Sequence, residues 1–568
     1  MSSNAAILLN RLMPSRASFR HGKQVLWLLA SLHLIALSIL LATESDFVAK
    51  AAFLLVWIVL NCFWLAFVRR PAVAALISLE LVIALTLLSR FKYDKLWMTL
   101  DFVDVMIVDQ DTSAFLFAAF PSLRGWIALA ALGTAALLIV IWRLDQYRVR
   151  VSSALLGGSP AMIALIVLSL SFPTELHEDF VGQDYVSKFA RTGVEAIHEF
   201  ASHGYLDSDA NVAESLKTTS AACHPSRRLP HIILLHDESS FDITAAPGIK
   251  VPAGYHDHFR SMDGRARKLL VEGIGGPSWF AEYNVLTGLS VRSYGRFATS
   301  VTRIAAGRIG RGLPRSLSQC GYRTFSLYPF YGSFLGSRAF QTSVGVEDYM
   351  DMLALGTRDF EADSYYFDQA IKIIERERGS APLFLYVYTV ANHFPWDKRL
   401  RPELTPNWRD LGNGPDVDEY IRRQGMSAHD YGRLLDRLAQ EFPTEPFLIV
   451  RYGDHQPQFG PRIIDPSLSP QALARHLEQS DPRYLTTYYA IDAVNFTPVD
   501  LSSALDSLDA PYLPLIIEEA AGVPLDPSFS EQRNILRRCN GLFYTCAHGA
   551  EARRFNRLLI QAGAITGF

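Results

Sequence analysis

Apolar residues are concentrated in the first third of the chain, in runs long enough to cross a bilayer as helices. A helix needs about 20 mostly apolar residues to span the hydrocarbon core. The pattern therefore predicts five membrane spans, at Gln24–Thr43, Phe47–Val68, Pro71–Ser89, Arg124–Trp142 and Ser153–Phe172. The first run lacks a small-residue cleavage site and further spans follow it, so we do not interpret it as a cleaved signal peptide. No comparable run follows Phe172.

Basic residues in the short loops predict the orientation of these spans. Arginines such as Arg16, Arg69 and Arg143 lie before span one, between spans two and three, and between spans four and five. The intervening loops carry acids instead, among them Glu44 and Asp104. Because basic loops favour the cytoplasmic side, we expect a multi-pass protein of the cytoplasmic (inner) membrane. Everything after the fifth span would then be extracytoplasmic, or periplasmic.

Downstream of the spans, short apolar runs alternate with stretches of helical spacing. Residues 173–229 are polar and weakly helical, which is typical of a juxtamembrane linker, and we expect 1–172 to be the anchor and 230–568 the outer domain. Strands buried on both faces are predicted at Ile232–Leu235, Thr324–Leu327, Leu383–Tyr388 and Phe447–Val450, with helices at Arg315–Gln319, Tyr365–Arg376 and Ala428–Glu441. This alternation favours an α/β domain with a central, mostly parallel sheet. Ligands of such sheets bind at the carboxyl ends of the strands.

Composition agrees with a membrane anchor and excludes one class of partner. The chain has 568 residues, of which 49% are hydrophobic, and its formal net charge is -3. It contains no basic run of the kind that nucleic-acid binding requires. We therefore expect no nucleic-acid partner.

Cysteine usage is consistent with an oxidising compartment for the outer domain. Cys62 is alone in a span, whereas Cys223, Cys320, Cys539 and Cys546 lie downstream. Four cysteines allow three pairings. Cys539 with Cys546 closes the shortest loop and leaves Cys223 for Cys320; free buried thiols are the alternative.

Two motifs near the start of the outer domain offer a carboxylate and a hydroxyl. Glu238 follows the first buried strand, where an acid can hold a cation or serve as a helix cap. Ser278 follows Gly275-Gly276-Pro277 at the head of a helical stretch. Such a serine can act as a nucleophile with its oxygen exposed, although a plain helix N-cap is its commoner role.

Two further motifs follow later strands. Asn392 and His393 come after Leu383–Tyr388, and the imidazole could contact a phosphate oxygen or protonate a leaving group. Asp454 and His455 follow Phe447–Val450 behind a glycine. An adjacent Asp and His can bind one metal ion in a tight turn, and this pair is the most specific motif of the set.

Taken together, these residues predict a metal site. Glu238, Asp454 and His455 supply two carboxylates and an imidazole, and Ser278 supplies a hydroxyl. A divalent cation held by all four would lower the pKa of the serine and neutralise charge on a phosphoryl group. Mostly oxygen ligands with one nitrogen favour Mn²⁺, with Mg²⁺ or Zn²⁺ as alternatives.

The same motifs resemble those of the sulfatase and alkaline phosphatase superfamily. The resemblance is to its membrane-anchored branch of lipoteichoic acid synthases, phosphoglycerol transferases and phosphoethanolamine transferases. Glu238-Ser239 resembles the family's Glu-Ser, and Ser278 stands where lipoteichoic acid synthases have a catalytic threonine. The other matching segments are Glu282, Val285-Leu286-Thr287-Gly288, Asn392 to Pro395 and Gly453 to His455. The resemblance ends near Asn495 and leaves the last 70 or so residues unmatched.

This resemblance implies a substrate class and two further binding residues. It implies transfer of a phosphorylated head group from a membrane phospholipid to an envelope glycan or lipid through a phosphoserine. Arg338 falls near the family's substrate-binding arginine. Tyr331 stands where lipoteichoic acid synthases have a histidine near the head group, which separates this chain from them.

Two other functions are compatible with parts of the sequence. One is a membrane-anchored sulfatase or phosphodiesterase, because Cys223-His224-Pro225-Ser226-Arg227 fits the pattern that sulfatases convert to formylglycine. That motif precedes the first strand here, whereas in sulfatases it follows it. The other is a non-catalytic envelope receptor or scaffold, which an empty metal site in the purified protein would favour. All four ligand positions are filled in this chain.

Overall fold

The computed structural model describes residues 16–96, 98–175, 178, 182–209, 211–216, 223, 228–379 and 381–567. The chain divides into two compact units. The first unit ends at Ala201 and the second begins at Ser202, and Asp109–Phe115 also belongs to the second.

The first unit is helical. Its helices are α1 (Arg16–Thr43), α2 (Phe47–Val68), α3 (Pro71–Leu96), α4 (Phe102–Met106), α5 (Gln110–Ala119, shared with the second unit), α6 (Leu123–Leu144), α7 (Val151–Ser171) and α8 (Tyr185–His203). Within the described residues, five helices are long and apolar enough to cross a membrane: α1 from Lys23 onward, α2, α3, α6 and α7. The five predicted spans are therefore confirmed as helices.

The ends of these helices follow from local chemistry. Asp46 caps α2, because its carboxylate accepts a hydrogen bond from the backbone amide of Ala49. The helix ends at Arg69, which adopts a left-handed conformation, and Pro71 begins α3. The sequence predicts an end for the third span at Ser89, but α3 continues to Leu96. Residues 90–96 include four charged side chains, which end the apolar stretch, but Arg90, Lys92, Lys95 and Leu96 are good helix formers, so the helix continues past it.

The second unit is built on one eight-stranded sheet. Its strands are β1 (His231–Asp237), β2 (Arg267–Leu270), β3 (Arg323–Leu327), β4 (Asp348–Met350), β5 (Leu383–Tyr388), β6 (Phe447–Gly453), β7 (Thr486–Val494) and β8 (Ser507–Asp509). The order is β4-β3-β5-β1-β6-β7-β2-β8. The five strands from β4 to β6 in this order are mutually parallel, while β7 pairs antiparallel with β6 and β2. The predicted α/β fold with a mostly parallel sheet is confirmed.

Strand register brings three carboxyl ends to one edge of the sheet. His236 on β1 is opposite Tyr388, the last residue of β5, and Asp237 is opposite Gly453, the last residue of β6. Every residue of β1, β5 and β6 is buried, as parallel strands covered on both faces require. The segments that follow these three strands therefore emerge together.

Helices account for most of the remaining regular structure of the second unit. Those of the second unit are α9 (Ser278–Thr287), α10 (Val301–Ala305), α11 (Leu313–Gln319), α12 (Ser337–Ser343), α13 (Met352–Leu355), α14 (Asp363–Glu377), α15 (Pro415–Glu441), α16 (Gly460–Ile464), α17 (Pro470–Glu478), α18 (Pro482–Leu485), α19 (Leu513–Ala521), α20 (Pro527–Cys539) and α21 (Ala550–Gln561). The sequence predicts a helix only from Ala428, but α15 begins at Pro415. The first half of this helix is rich in polar and charged residues, which hid its helical pattern, yet most of its side chains are buried against the domain.

The C-terminal residues that matched no motif are part of the second unit's core. Buried apolar side chains of α19 include Leu515, Ile516 and Ile517. Gln532 on α20 donates to the carbonyl oxygens of Gly288 and Pro511, at 2.8 Å each, which joins this helix to the end of α9. The C-terminal segment thus supports the helix that carries Ser278.

Two disulfides are present in the second unit, Cys223–Cys320 and Cys539–Cys546. Cys62 remains a free thiol. The expected pairing is confirmed. Because Cys223 is bonded to Cys320, it does not supply the formylglycine of a sulfatase.

Candidate active site

Two strand ends and one helix start converge on a buried cluster of polar side chains. Glu238 directly follows β1, Asp454 and His455 directly follow β6, and Ser278 is the first residue of α9. All four side chains are buried, and Ser278, the most accessible, is 8% exposed.

The atoms of this cluster lie at the distances expected of ligands around one ion. Ser278 Oγ is 3.1 Å from Glu238 Oε2 and 3.1 Å from His455 Nε2. His455 Nε2 is 3.3 Å from Asp454 Oδ2 and 3.5 Å from Glu238 Oε1. Two ligands about 2.1 Å from a common ion lie about 3.0 Å apart at right angles and about 3.4 Å apart in a tetrahedron. The four side chains that the sequence predicts as ligands are therefore grouped as a cation site requires.

Hydrogen bonds fix the orientation of Asp454 and His455. Asp454 Oδ1 accepts from the backbone amides of Ser239, at 2.7 Å, and His455, at 2.8 Å. His455 Nδ1–H donates to the carbonyl oxygen of Gln456 at 2.9 Å, which leaves the lone pair of Nε2 for the cluster. A fixed outer hydrogen bond of this kind sets the tautomer of metal-binding histidines.

Ser239 is held in an uncommon backbone conformation beside the cluster. Its φ is 51°, in the left-handed region. A non-glycine residue there costs about 1–3 kcal/mol unless neighbouring contacts compensate. Its amide donates to Asp454, and its hydroxyl donates to Glu238 Oε1 at 2.7 Å. The strained residue thus orients both carboxylates.

An unpartnered carboxylate oxygen indicates that a cation fits this cluster. Asp454 Oδ2 is buried and has no hydrogen-bond partner among the residues that the structure describes. An orphaned carboxylate oxygen in the interior is costly unless a charge balances it. Burial acts to raise the pKa of Asp454, but the imidazoles of His455 and His236 outweigh it and hold that pKa below its usual value. The carboxylate is therefore ionised and available to a metal.

Asn392 and His393 follow β5 at the same edge of the sheet. Asn392 is buried, and its Nδ2 donates to Gln424 on α15 at 2.9 Å. His393 is half-buried, and its ring stacks on Phe394 with centroids 4.5 Å apart. Its Nδ1–H donates to the carbonyl oxygen of Phe394 at 2.6 Å, so Nε2 is the atom that can exchange a proton. Within the described residues no hydrogen bond joins either side chain to Ser278.

Arg338 and Tyr331 lie on the segment around α12. Arg338 Nη2 donates to Asp351 at 2.7 Å, its guanidinium lies over the ring of Tyr349, and 48% of its side chain is exposed. Tyr331 packs its ring against Phe330, with centroids 5.6 Å apart. Neither side chain makes a described hydrogen bond to the Ser278 cluster. Their roles in substrate binding stay predictions.

Sequence reasoning missed two residues of the site, His236 and Tyr388. His236, Glu238 and Asp454 form a group whose potential ligand atoms lie within 4.8 Å of one another. Tyr388 OH is 3.4 Å from Glu238 Oε2. Strand alternation could have identified His236, because residues two apart on a strand face the same side, and His236 precedes Glu238 by two positions. Tyr388 had no such pattern, since aromatic residues are common in buried strands.

Residues 281–488 match the protein-family model described as Sulfatase. The matched residues lie within the second unit. The match includes Asp454 and His455, while Glu238 and Ser278 lie upstream of it. No curated protein matches the chain in sequence.

Several solved structures are similar to the chain at low identity. The phosphoglycerol transferase GacH of Streptococcus pyogenes, in complex with sn-glycerol-1-phosphate, is 14% identical over 61% of this chain and 92% of its own, with a TM-score of 0.46. The lipoteichoic acid synthase LtaP of Listeria monocytogenes is 15% identical over 59% and 79%, with a TM-score of 0.38. The lipooligosaccharide phosphoethanolamine transferase EptA of Neisseria meningitidis, an integral membrane protein, is 11% identical over 84% and 96%, with a TM-score of 0.44.

Proposed function

We propose that this protein is a membrane-anchored, metal-dependent phosphotransferase that works through a covalent intermediate on Ser278. It would move a phosphorylated head group, of the phosphoethanolamine or phosphoglycerol type, from a membrane phospholipid to a glycan or lipid of the cell envelope. The observation that carries this proposal is the grouping of a serine hydroxyl with two carboxylates and an imidazole at one sheet edge. Ser278 Oγ lies 3.1 Å from both Glu238 and His455 in that group.

Glu238, Ser278, Asp454 and His455 would hold one divalent cation. Mn²⁺ is favoured, with Mg²⁺ or Zn²⁺ as alternatives. When bound, such a cation lowers the pKa of a coordinated hydroxyl and neutralises charge on a phosphoryl group.

In the first step, Ser278 Oγ attacks the phosphorus of the lipid head group. A bond forms between Oγ and phosphorus, the bond from phosphorus to the diacylglycerol oxygen breaks, and that oxygen takes up a proton. The position of Ser278 at the N-terminus of α9 favours the anionic group that results. His393 would supply the proton from Nε2 or bind a phosphate oxygen, and Arg338 would bind the anion.

In the second step, an acceptor hydroxyl attacks the phosphoserine. The bond between Oγ and phosphorus breaks, the head group passes to the acceptor, and the serine recovers its proton. The predicted orientation places this chemistry outside the cytoplasm, on the side where envelope acceptors lie. The anchor would hold the domain near its lipid donor.

The test is a comparison of Ser278→Ala with Ser278→Thr in the detergent-solubilised full chain. The wild-type protein is incubated with a phospholipid that carries a labelled head group. The peptide that contains Ser278 should then gain the mass of that head group. Ser278→Ala should lose the adduct and at least about 10³-fold of the transfer rate, while Ser278→Thr keeps a hydroxyl and should retain measurable transfer.

Ser333→Ala is the matched control, because that serine lies outside the cluster and should transfer at the wild-type rate. Full transfer by Ser278→Ala would overturn the proposal. Release of free head group to water, with no transfer to any envelope acceptor, would instead indicate a phosphodiesterase.

A further inference from the structure

Arg423 on α15 binds the segment that carries His393, although no sequence motif identifies it. The side chain is buried. Its guanidinium donates to four backbone carbonyl oxygens of this one short segment, those of Ala391 at 3.5 Å, His393 at 2.7 Å, Pro395 at 2.8 Å and Lys398 at 2.6 Å. Residues 389–401 form neither helix nor strand, so their buried carbonyls need donors from elsewhere. A single side chain supplies several of them.

Glu419, one turn earlier on α15, holds this guanidinium in place. Its Oε1 accepts from Arg423 Nε at 2.6 Å, and the same carboxylate accepts two hydrogen bonds from Arg422. All three charged side chains are buried. A buried charge needs an opposite charge and partners for its remaining donors. The carboxylate and the four carbonyls meet both needs of Arg423, so the helix presents a fixed group of donors to the segment.

Two of the four carbonyls flank the group that orients the imidazole. His393 Nδ1–H donates to the carbonyl oxygen of Phe394 at 2.6 Å. The peptide units on either side of that carbonyl are those of His393 and Pro395, and both bond to Arg423. A hydrogen bond at Nδ1 sets the tautomer and the direction of Nε2. Arg423 therefore controls the imidazole through the backbone of Phe394.

We propose that Arg423 is a positioning residue that holds His393 Nε2 where it can protonate the oxygen leaving phosphorus. This inference rests on the proposed function, which gives His393 that role. Lysine would not replace the guanidinium, because an ammonium lacks the planar fork that binds several acceptors at once. Misplacing a catalytic group by about 1 Å can cost about 10²-fold in rate. Arg423→Lys should therefore slow the first step by about that factor.

The test varies the leaving group and follows formation of the Ser278 adduct in the detergent-solubilised full chain. Phosphatidylethanolamine or phosphatidylglycerol releases a diacylglycerol oxygen that needs a proton, whereas the p-nitrophenyl ester of the same head group releases an anion that does not. Arg423→Lys and His393→Gln should each lose about 10²-fold with the phospholipid and keep nearly the wild-type rate with the ester. Arg433→Lys is the control, because this exposed arginine lies on the same helix and should match the wild type with both substrates.

A double variant separates positioning from general support of the fold. Adding Arg423→Lys to His393→Gln should cost little further, because the contribution of the imidazole is already lost. Equal losses with the phospholipid and the ester, or additive losses in the double variant, would overturn the inference. Glu419→Gln removes the charge that holds Arg423 and should show the same leaving-group pattern at smaller size. It carries the test if Arg423→Lys fails to fold.

A labelling experiment decides the inference without turnover. The ring of His393 lies between those of Phe394 and Phe360, with centroids 4.5 Å and 4.7 Å away. Once the segment is released, diethyl pyrocarbonate should modify His393 faster in Arg423→Lys than in the wild type or Arg433→Lys, as the mass of its peptide shows. An unchanged rate would contradict the positioning role. Absence of the Ser278 adduct in the wild type would overturn the proposed function alone, and faster labelling would still support Arg423 as the residue that positions His393.

Discussion

Gly453, the last residue of β6, is where a single side chain would disrupt the site most directly. A Cβ at this position would lie 1.8 Å from the carbonyl oxygen of Ser240. Because this oxygen belongs to the backbone, the backbone itself would have to move to remove the clash. That backbone belongs to the turn carrying Glu238 and Ser239, and Gly453 itself precedes Asp454. The absence of a side chain therefore allows the two ligand-bearing turns to approach each other.

Substituting Gly453 by Ala should damage both stability and metal binding. Overpacking of this kind costs about 3 kcal/mol, and the displaced turn should weaken Zn²⁺ or Mn²⁺ binding. Thermal unfolding and metal titration of the solubilised chain measure the two effects. Gly432→Ala is the control: this glycine lies on the exposed face of α15 with no atom near its Cβ position, and alanine should stabilise the helix by up to about 1 kcal/mol. Equal behaviour of the two variants would contradict the steric explanation.

At the scale of elements, α9 connects Ser278, the proposed nucleophile, to the core. It begins at Ser278, directly after the Gly275-Gly276-Pro277 turn, and ends at Thr287, and Gly288 caps it with a left-handed φ of 70°. Glu282, one turn after Ser278, is fully enclosed and accepts hydrogen bonds from Gln341 and Ser337 of α12. A carboxyl group thus joins α9 to α12, the helix that carries Arg338.

Glu282 makes the stability of this helix pair depend on pH. Burial raises the pKa of Glu282 to about 7, despite the hydrogen bonds that oppose it. The folded-state pKa is above the unfolded value of 4.5. The contribution of Glu282 to the free energy of unfolding is therefore complete below pH 4.5 and is lost as the pH rises through 7. Glu282→Gln keeps the neutral form, so it should exceed the wild type in stability by about 3 kcal/mol above pH 7 and lose this advantage toward pH 4.5.

Unfolding midpoints of both proteins between pH 4.5 and 8 test this expectation. Glu375→Gln, on the exposed face of α14, should follow the wild-type curve throughout. Parallel curves for Glu282→Gln and the wild type would show that Glu282 is ionised in the folded protein across this range.

For the whole molecule, the two disulfides of the second unit close loops of very different length. Cys223 and Cys320 are 97 residues apart, and Cys539 and Cys546 are 7 apart. The longer loop restricts the unfolded chain more. It also joins the segment before β1 to the end of α11.

Replacing both cysteines of the Cys223–Cys320 pair by serine should cost about 4–5 kcal/mol by loop entropy, and replacing the Cys539–Cys546 pair should cost about half as much. Denaturant unfolding under non-reducing conditions measures both. Cys62→Ser, which removes the free thiol of α2, should change stability little. Losses of equal size in the two pairs would contradict the loop-length explanation.

The sequence by itself determined the elements whose hydrophobic pattern is strong. Five apolar runs specified five helices. Three all-apolar runs specified β1, β5 and β6, because burial on both faces favours such a composition, and the mixed run Thr324–Leu327 specified β3. It also predicted that Glu238, Ser278, Asp454 and His455 lie together, since polar residues at strand ends and at a helix start follow a local pattern, and the structure groups these side chains. Short strands such as β4 and β8 contain too few residues to show a hydrophobic pattern. The C-terminal helices resembled no known motif.

Only the tertiary structure decided what depends on register and close approach. The pairing of β1 with β5 and β6 placed Tyr388 beside Glu238 and His236 beside Asp454, although these residues are more than 140 positions apart. The same packing placed the Ser240 carbonyl where Gly453 alone fits, and turned Arg338 toward Asp351. Such relations arise from distances between chain segments, which no local pattern of hydrophobic and polar positions contains.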